Sequence, residues 1–337
     1  MTLSNITCGV PNSTVNCSYN MSAWEESMDK LYTYFYLLIF IPGLLGNSVG
    51  LWVLWRFISK KTKAIIFMIN LAMADLAHVL SLPLRIYYYF THEWHFGKGL
   101  CLFCFYLKFL NMYASIAFLV CISIQRCTFL MHPFCAKRWK RRYDVRISAI
   151  VWLMVGLCCS PFILMRNNTC GVQQNTISCF KDLPTRKVNL SMAITIMTFG
   201  ELLGFVGPLV IIGFCSYFIM RSLWRSLQAG HSVNDKKRAL RLVLACTGVF
   251  FICFVPYHIN FLLYMMVSQD IITQCPVREA VKKFHPISLC LASMNCCLNP
   301  LIYYFLTTEF QQQLSRQGSS VLRGRLMSLE STSSYKE

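Results

Sequence analysis

Several charged residues stand inside apolar runs of this chain, where a charge that cannot reach water is costly and normally faces a bundle interior or a wet cavity. Arg85 and Lys108 are the deepest cations, with Tyr87, Tyr88, Tyr89, Tyr106 and Tyr113 interleaved. Cations so placed, with few acids nearby, call for a counter-anion, and a phosphate or carboxylate on a ligand supplies one. Asn111, Met112, His258 and His285 are candidates to line the same cavity, and Lys181, Arg186, Lys187, Lys282 and Lys283 to form its rim. Glu201 completes the candidate set and leaves a second reading open, in which it pairs with Arg85 or Lys108 and the group is structural. A histidine on such a helix is also commonly a hydrogen-bonded core residue, and a rim lysine simply a solvated one.

A second group is rich in oxygen. Asp75 with Asn47, Asn295 and Asn299 offers the ligands a hard cation prefers, although a hydrogen-bonded aspartic acid holding no ion uses the same residues. No Walker loop, zinc-ligand spacing or nucleophile–base arrangement is present, so covalent chemistry is not expected and the chain does not read as an enzyme.

The run Cys101 to Cys127 must position much of this. It holds no Pro or Gly, and as one helix it is about 40 Å long, enough to cross a bilayer. Lys108 and Arg126 are eighteen residues apart, about five turns, so they share a face roughly 27 Å apart along the axis. Such a helix joins two polar sites on opposite sides of a membrane. Composition agrees: 55% of the 337 residues are hydrophobic and 14% charged, where a soluble protein carries about a quarter charged.

Seven apolar segments follow, at 31–57, 64–90, 99–128, 145–166, 189–224, 236–268 and 280–305. The balance is basic, 32 Lys+Arg against 14 Asp+Glu, and the cations sit between apolar runs, which fits lipid headgroups rather than nucleic acid. They concentrate in alternate connections, including Lys60, Lys61, Lys63, then Lys137, Arg138, Lys140, Arg141, Arg142 and Arg146, then Arg225, Lys236, Lys237 and Arg238. The opposite loops hold the N-x-S/T acceptors Asn5, Asn12, Asn16, Asn20 and Asn167. Both signals place the N-terminus outside and the C-terminus in the cytoplasm. Six cysteines fall on the outer side, Cys8, Cys17, Cys101, Cys170, Cys179 and Cys275, and an even number there invites pairing. Pro83, Pro161, Pro208, Pro256 and Pro300 predict kinks at depth. The expected organisation is an all-α membrane protein: a glycosylated extracellular segment 1–30, a seven-helix bundle 31–305, a short amphipathic helix 306–316 on the inner surface, and a Ser-rich tail 317–337 open to phosphorylation.

Gly46-Asn47, LAMADL with Asp75, Cys101 with Cys179, Trp152, CFVP (Cys253 to Pro256), NPLIY (Asn299 to Tyr303) and Phe310 come in the order of the rhodopsin-like G protein-coupled receptors, and the chain resembles that family from about 31 to 316. FMINLAMADLAHVLSLPLRIYYY, CFYLKFLNMYASIAFLVCIS and FFICFVPYHINF resemble its purinergic-like branch, most nearly the lysophosphatidylserine receptors. The resemblance implies a plasma-membrane receptor for an anionic lysophospholipid, coupled to a heterotrimeric G protein of the twelve/thirteen or the inhibitory class through Arg126 and Tyr303. It also implies an arrestin engaging the phosphorylated tail, a sodium ion at Asp75, Asn295 and Asn299, and bridges Cys101–Cys179 and Cys17–Cys275. A nucleotide-type purinergic receptor, a constitutively active orphan receptor and a small-solute transporter are the alternatives, although no internal repeat of the transporter kind is visible. Departures from the family pattern are Gln125 in place of an acid before Arg126, Phe254 in place of a Trp, Ser216 where a Tyr is usual with Tyr217 one place on, and no Cys after Phe310.

Overall fold

The computed structural model describes residues 22–56, 65–164, 179–180, 190–229, 234–268 and 271–306. They form α1 (Ser22–Arg56), α2 (Ile65–Thr91), α3 (Gly97–Met131), α4 (Pro133–Arg138), α5 (Arg141–Leu164), α6 (Leu190–Glu201), α7 (Gly207–Gln228), α8 (Asn234–Val249), α9 (Val255–Ser268), α10 (Cys275–Ser293) and α11 (Asn295–Leu306), with no strand among the described residues. The sequons, Cys8, Cys17, Cys170, Lys181, Arg186, Lys187, all but the first residue of the helix expected at 306–316, the tail and the side chain of Tyr303 lie outside the described residues.

Among the described residues, six helical stretches are long and apolar enough to cross a membrane: Ala23–Trp55, Ile65–Thr91, Gly97–Met131, Arg141–Pro161, Met197–Gln228 and Lys236–Ser268. The seventh pass is α10 and α11, separated at Met294, whose N–H reaches the carbonyls of Cys290 and Leu291. The first helix starts at Ser22, well ahead of its apolar run, because polar residues continue it; Lys30 and Glu26, one turn apart, pair at 2.8 Å.

The bundle hides its polar groups and shows its apolar ones. Asn47, Asp75, His78, Ser115, Asn295 and Asn299 are fully buried, while Trp55, Phe90, Leu153, Leu203, Val210 and Phe214 are exposed. This inversion is what hydrocarbon around the bundle demands. α3 stands at the centre and packs against α2, α5, α7, α8 and α10. Phe118, Leu119 and Ile122 of α3 and Leu71 and Met68 of α2 make the fully buried middle of the core. Trp152 donates to Asn70 at 2.7 Å and packs on Phe118 at 5.7 Å, pinning α5 to α2 and α3. At Gly46 a Cβ would meet Pro300 at 3.0 Å, so a hydrogen there is what lets α1 approach α11.

Two of the predicted prolines act through π turns. Leu202–Val206 joins α6 to α7 ahead of Pro208, and Phe250–Phe254 joins α8 to α9 ahead of Pro256. A proline ring crowds the carbonyl four residues back and offers no N–H to it, and in each case the preceding turn widens to relieve this. Gly204 belongs to the first such turn, and a Cβ there would fall 2.7 Å from the Tyr113 ring.

Candidate functional site

At the Cys101 end of the bundle a disulfide sets the geometry. Cys101 is bridged to Cys179, with Cα atoms 5.9 Å apart, and the Cys179 N–H donates to the Tyr88 hydroxyl at 3.3 Å. The next residue, Phe180, takes φ +52° and lays its ring against Arg85, whose guanidinium carbon lies 4.4 Å from the ring centre. Arg85 is 2% exposed and donates from Nη2 to the Cys104 carbonyl, while its Nε has no partner. Lys108, half-buried, donates to the Tyr36 hydroxyl at 3.3 Å. Tyr32, Tyr36 and Tyr89 stack beside it, Tyr32 and Tyr89 with centroids 4.6 Å apart.

Neither cation meets an acid among the described residues. The pairing with Glu201 left open by the sequence is not made, because Glu201 is occupied elsewhere: His258 Nδ1 lies 3.2 Å from each of its carboxylate oxygens. The His258 ring stacks on Phe205 at 4.8 Å and meets Tyr113 at 5.9 Å, so Glu201 and His258 tie the fifth pass to the sixth. His285 stands apart from that pair, with Asn260 Nδ2 3.1 Å from its Nδ1 and Tyr264 stacked on it at 4.3 Å. Lys283 pairs with Glu279 one turn away and lies 5.7 Å above the Trp24 ring. Cys275 is disulfide-bonded, and its partner lies outside the described residues.

Below the cations a small cavity is lined by His78, Lys108, Phe109, Asn111, Met112, Leu289, Ala292 and Ser293. His78 was missed from the sequence, and neither of its ring nitrogens has a partner although the residue is 1% exposed. Its signal was positional: it follows Asp75 by three residues, one turn along the same face. Tyr36 and Phe180 were missed for a different reason, since nothing local marks a tyrosine or phenylalanine as the neighbour of a distant cation.

The Asp75 cluster assembles across four passes. Asp75 Oδ1 accepts from Asn111 Nδ2 at 2.9 Å and from Ser115 Oγ at 3.5 Å; Oδ2 accepts from Asn299 Nδ2 at 2.9 Å. Asn295 Nδ2 donates to Ser115 Oγ at 3.0 Å, and Asn47 Nδ2 donates to the Gly43 and Cys296 carbonyls at 2.9 and 2.7 Å. The amide oxygens of Asn47, Asn295 and Asn299 are buried with no hydrogen-bond partner. Buried acceptors left over around a carboxylate are the donor set a hard cation takes. Asn111 therefore belongs to this cluster while it also borders the cavity holding Lys108.

At the Arg126 end, Gln125 is buried and donates to Asp144 Oδ1 at 2.8 Å, the same oxygen that accepts from Trp139 Nε1 at 2.7 Å. Ser216, in the place of the usual Tyr, meets Thr247 Oγ1 at 3.1 Å across the fifth and sixth passes, and Tyr217 turns outward, 52% exposed. Lys236 Nζ donates to the Ser222 and Ser226 hydroxyls at 2.9 and 2.7 Å. Phe250 and Phe254 are fully buried between the two ends, with Phe205 stacked on Phe250 at 6.0 Å.

Residues 46–303 match the family described as "7 transmembrane receptor (rhodopsin family)". The chain is 55% identical over 324 residues to a putative purinoceptor of Mus musculus, covering 96% of this chain and 98% of that one. It is 50% identical over 287 residues to "Probable G-protein coupled receptor 174" of Homo sapiens, covering 85% and 86%. Against "Lysophosphatidic acid receptor 6" of Homo sapiens it is 33% identical over 311 residues, covering 91% and 88%. The relatives are receptors and not enzymes.

Proposed function

The chain belongs to the rhodopsin family of seven-transmembrane receptors, in its purinergic-like branch, and on that premise we propose that it binds an extracellular anionic lysophospholipid and activates a heterotrimeric G protein. Lysophosphatidylserine is the first candidate ligand, and the twelve/thirteen class, then the inhibitory class, the coupling partner. The carrying observation is a pair of interior cations, Arg85 and Lys108, with no acid against them among the described residues. A phosphate or carboxylate neutralises both, and Arg85 suits a forked contact. The name of one relative, a lysophosphatidic acid receptor, points to the same ligand chemistry. The name of another, a purinoceptor, supports a nucleotide as the second reading, because a nucleotide carries the same phosphates.

The Cys101 end faces outward in this proposal, since a disulfide belongs to an oxidising compartment. The N-terminus is then extracellular and the Arg126 end cytoplasmic, where Arg126 and Tyr303 meet the G protein and a phosphorylated tail meets an arrestin. Asp75, Asn295 and Asn299 would hold a sodium ion, which supplies positive charge to a buried carboxylate. Binding shifts a population: the ligand gathers the outer helices around Arg85 and Lys108, Phe250 and Phe254 repack, and the sixth pass swings about Pro256 to open the Arg126 end. The ligand drives this only by its differential affinity for the two states.

The residue beside Arg126 is an amide turned toward Asp144, so it brings no negative charge to that arginine. An acid at this position would add a charge-assisted restraint on Arg126 that the amide does not, so the inactive state is held more weakly than with an acid there and some ligand-independent signalling is expected. Gln125→Asp is expected to lower basal G-protein activation at equal surface expression; an unchanged basal level removes this part of the proposal. The ligand reading is tested by G-protein activation in cells exposed to lysophosphatidylserine, other lysophospholipids and nucleotides. A saturable response to one lysophospholipid supports it. A response to a nucleotide alone transfers the site to the second reading, and silence across the panel with good surface expression overturns both.

A further inference from the structure

A dense charge patch on the described surface lies at the Arg126 end, away from the Arg85–Lys108 and Asp75 sites. Lys137, Arg138, Lys140, Arg141, Arg142 and Arg146 are all exposed within ten residues that run from the end of α4 into α5, and none makes an ion pair among the described residues. The acid in that stretch, Asp144, is buried and accepts from Gln125 and Trp139. The apolar crossing stretch of α5 begins at Arg141, so these cations stand at the depth of lipid headgroups.

What separates this patch from an ordinary solvated one is the surface it continues into. Arg142, Arg146, Ile150, Leu153 and Leu157 succeed one another at steps of four, four, three and four, which is one face of a helix. All five are exposed, the three apolar ones at 59%, 64% and 61%. Two guanidinium groups one turn apart thus head a stripe that faces acyl chains. A headgroup with tails matches both parts, whereas a protein partner or a free phosphate matches only the first. Two adjacent forks suit two phosphate monoesters, and six cations exceed what a singly charged headgroup neutralises.

We propose that the Arg142–Arg146 face of α5 is a binding site for a polyphosphorylated inositol lipid of the membrane leaflet at the Arg126 end. That this is the inner leaflet rests on the orientation proposed above; the binding itself does not. The site would bring such a lipid against the connection that carries Asp144 and Trp139, and so against the neighbour of Arg126.

The test uses the purified full chain in detergent, titrated with fluorescent phosphatidylinositol 4,5-bisphosphate, with fluorescent phosphatidylserine and with tail-free inositol trisphosphate. The parent chain should bind the bisphosphate lipid saturably and more tightly than either of the others. Arg142→Gln with Arg146→Gln should weaken that binding about 10- to 30-fold, the loss of two surface cations. Lys237→Gln with Arg241→Gln removes equal charge from exposed positions of α8 and should change it by less than about threefold. Arg142→Lys with Arg146→Lys should restore part of the loss. Equal losses in the two glutamine pairs, equal binding of phosphatidylserine, or no saturable binding by a parent chain of normal melting temperature overturns the proposal. Because no agonist or G protein is present, failure here leaves the ligand reading standing, and failure of the ligand panel leaves this site standing.

Discussion

Lys108→Met is expected to reach the cell surface like the parent chain and to lose its lysophospholipid response by about 30-fold or more in potency. The size follows from removing one partner of a desolvated charge pair, about 2–5 kcal/mol. The surface level follows from the residue's sparse protein contacts, chiefly one 3.3 Å hydrogen bond to Tyr36 and contact with its ring. Methionine keeps the length and apolar stem and deletes only the charge. Arg85→Ala should lose at least as much response but with a cost in expression, since Arg85 also satisfies the Cys104 carbonyl and supports Phe180. Arg85→Lys keeps the charge without the fork, and should stay well short of the parent. Concentration–response curves at matched surface expression decide the matter. An unchanged potency in Lys108→Met would remove that residue from the anion site and with it half of the argument for an anionic ligand.

Asp75→Leu should be the most damaging single change to the folded bundle. It takes the acceptor from Asn111, Ser115 and Asn299 at once, in a place water does not reach. Leaving buried donors unpaired costs about 1–3 kcal/mol each, against a net stability of only about 5–15 kcal/mol. Little surface receptor is the expected result. Asp75→Asn keeps the shape and one oxygen and should fold, with a melting temperature lower by about 5–10 °C. The parent should melt higher in sodium chloride than in choline chloride at equal ionic strength, and Asp75→Asn should lose that difference. A parent indifferent to sodium would leave the cluster a purely hydrogen-bonded one.

Much of this was legible in the chain. Arg85 and Lys108 declared themselves by chemical type, because a cation inside an apolar run is conspicuous wherever its helix points. Asp75 and Asn299 likewise come together as expected. The missing part concerns choices between helices. Glu201 had two candidate partners in the sequence, Arg85 and Lys108, and its actual partner His258 was decided by the rotation of the fifth and sixth passes about their axes, which periodicity does not fix. The hydrogen bond of Asn111 to Asp75, made while the residue also borders the Lys108 cavity, was hidden for the same reason. The early start of α1 was hidden because hydropathy follows the apolar run and is blind to a polar helical turn held by Glu26 and Lys30. The break at Met294 left no local mark either, since neither Pro nor Gly stands within five residues of it. The displaced aromatic was legible as a displacement, and only the structure shows that Tyr217 faces outward while Ser216 reaches Thr247.

The two wide turns ahead of Pro208 and Pro256 give the bundle something like a spare thread. A π turn takes in one residue more than an α turn of the same height, so returning it to α geometry screws everything beyond it round by about 100° and along by about 1.5 Å. Both spare residues sit at one level, linked through the stacked rings of Phe205, Phe250 and His258. The segments on either side of that level are therefore geared rather than welded: the halves of the fifth and sixth passes nearest Glu201 can hold their register while the halves nearest Arg126 turn.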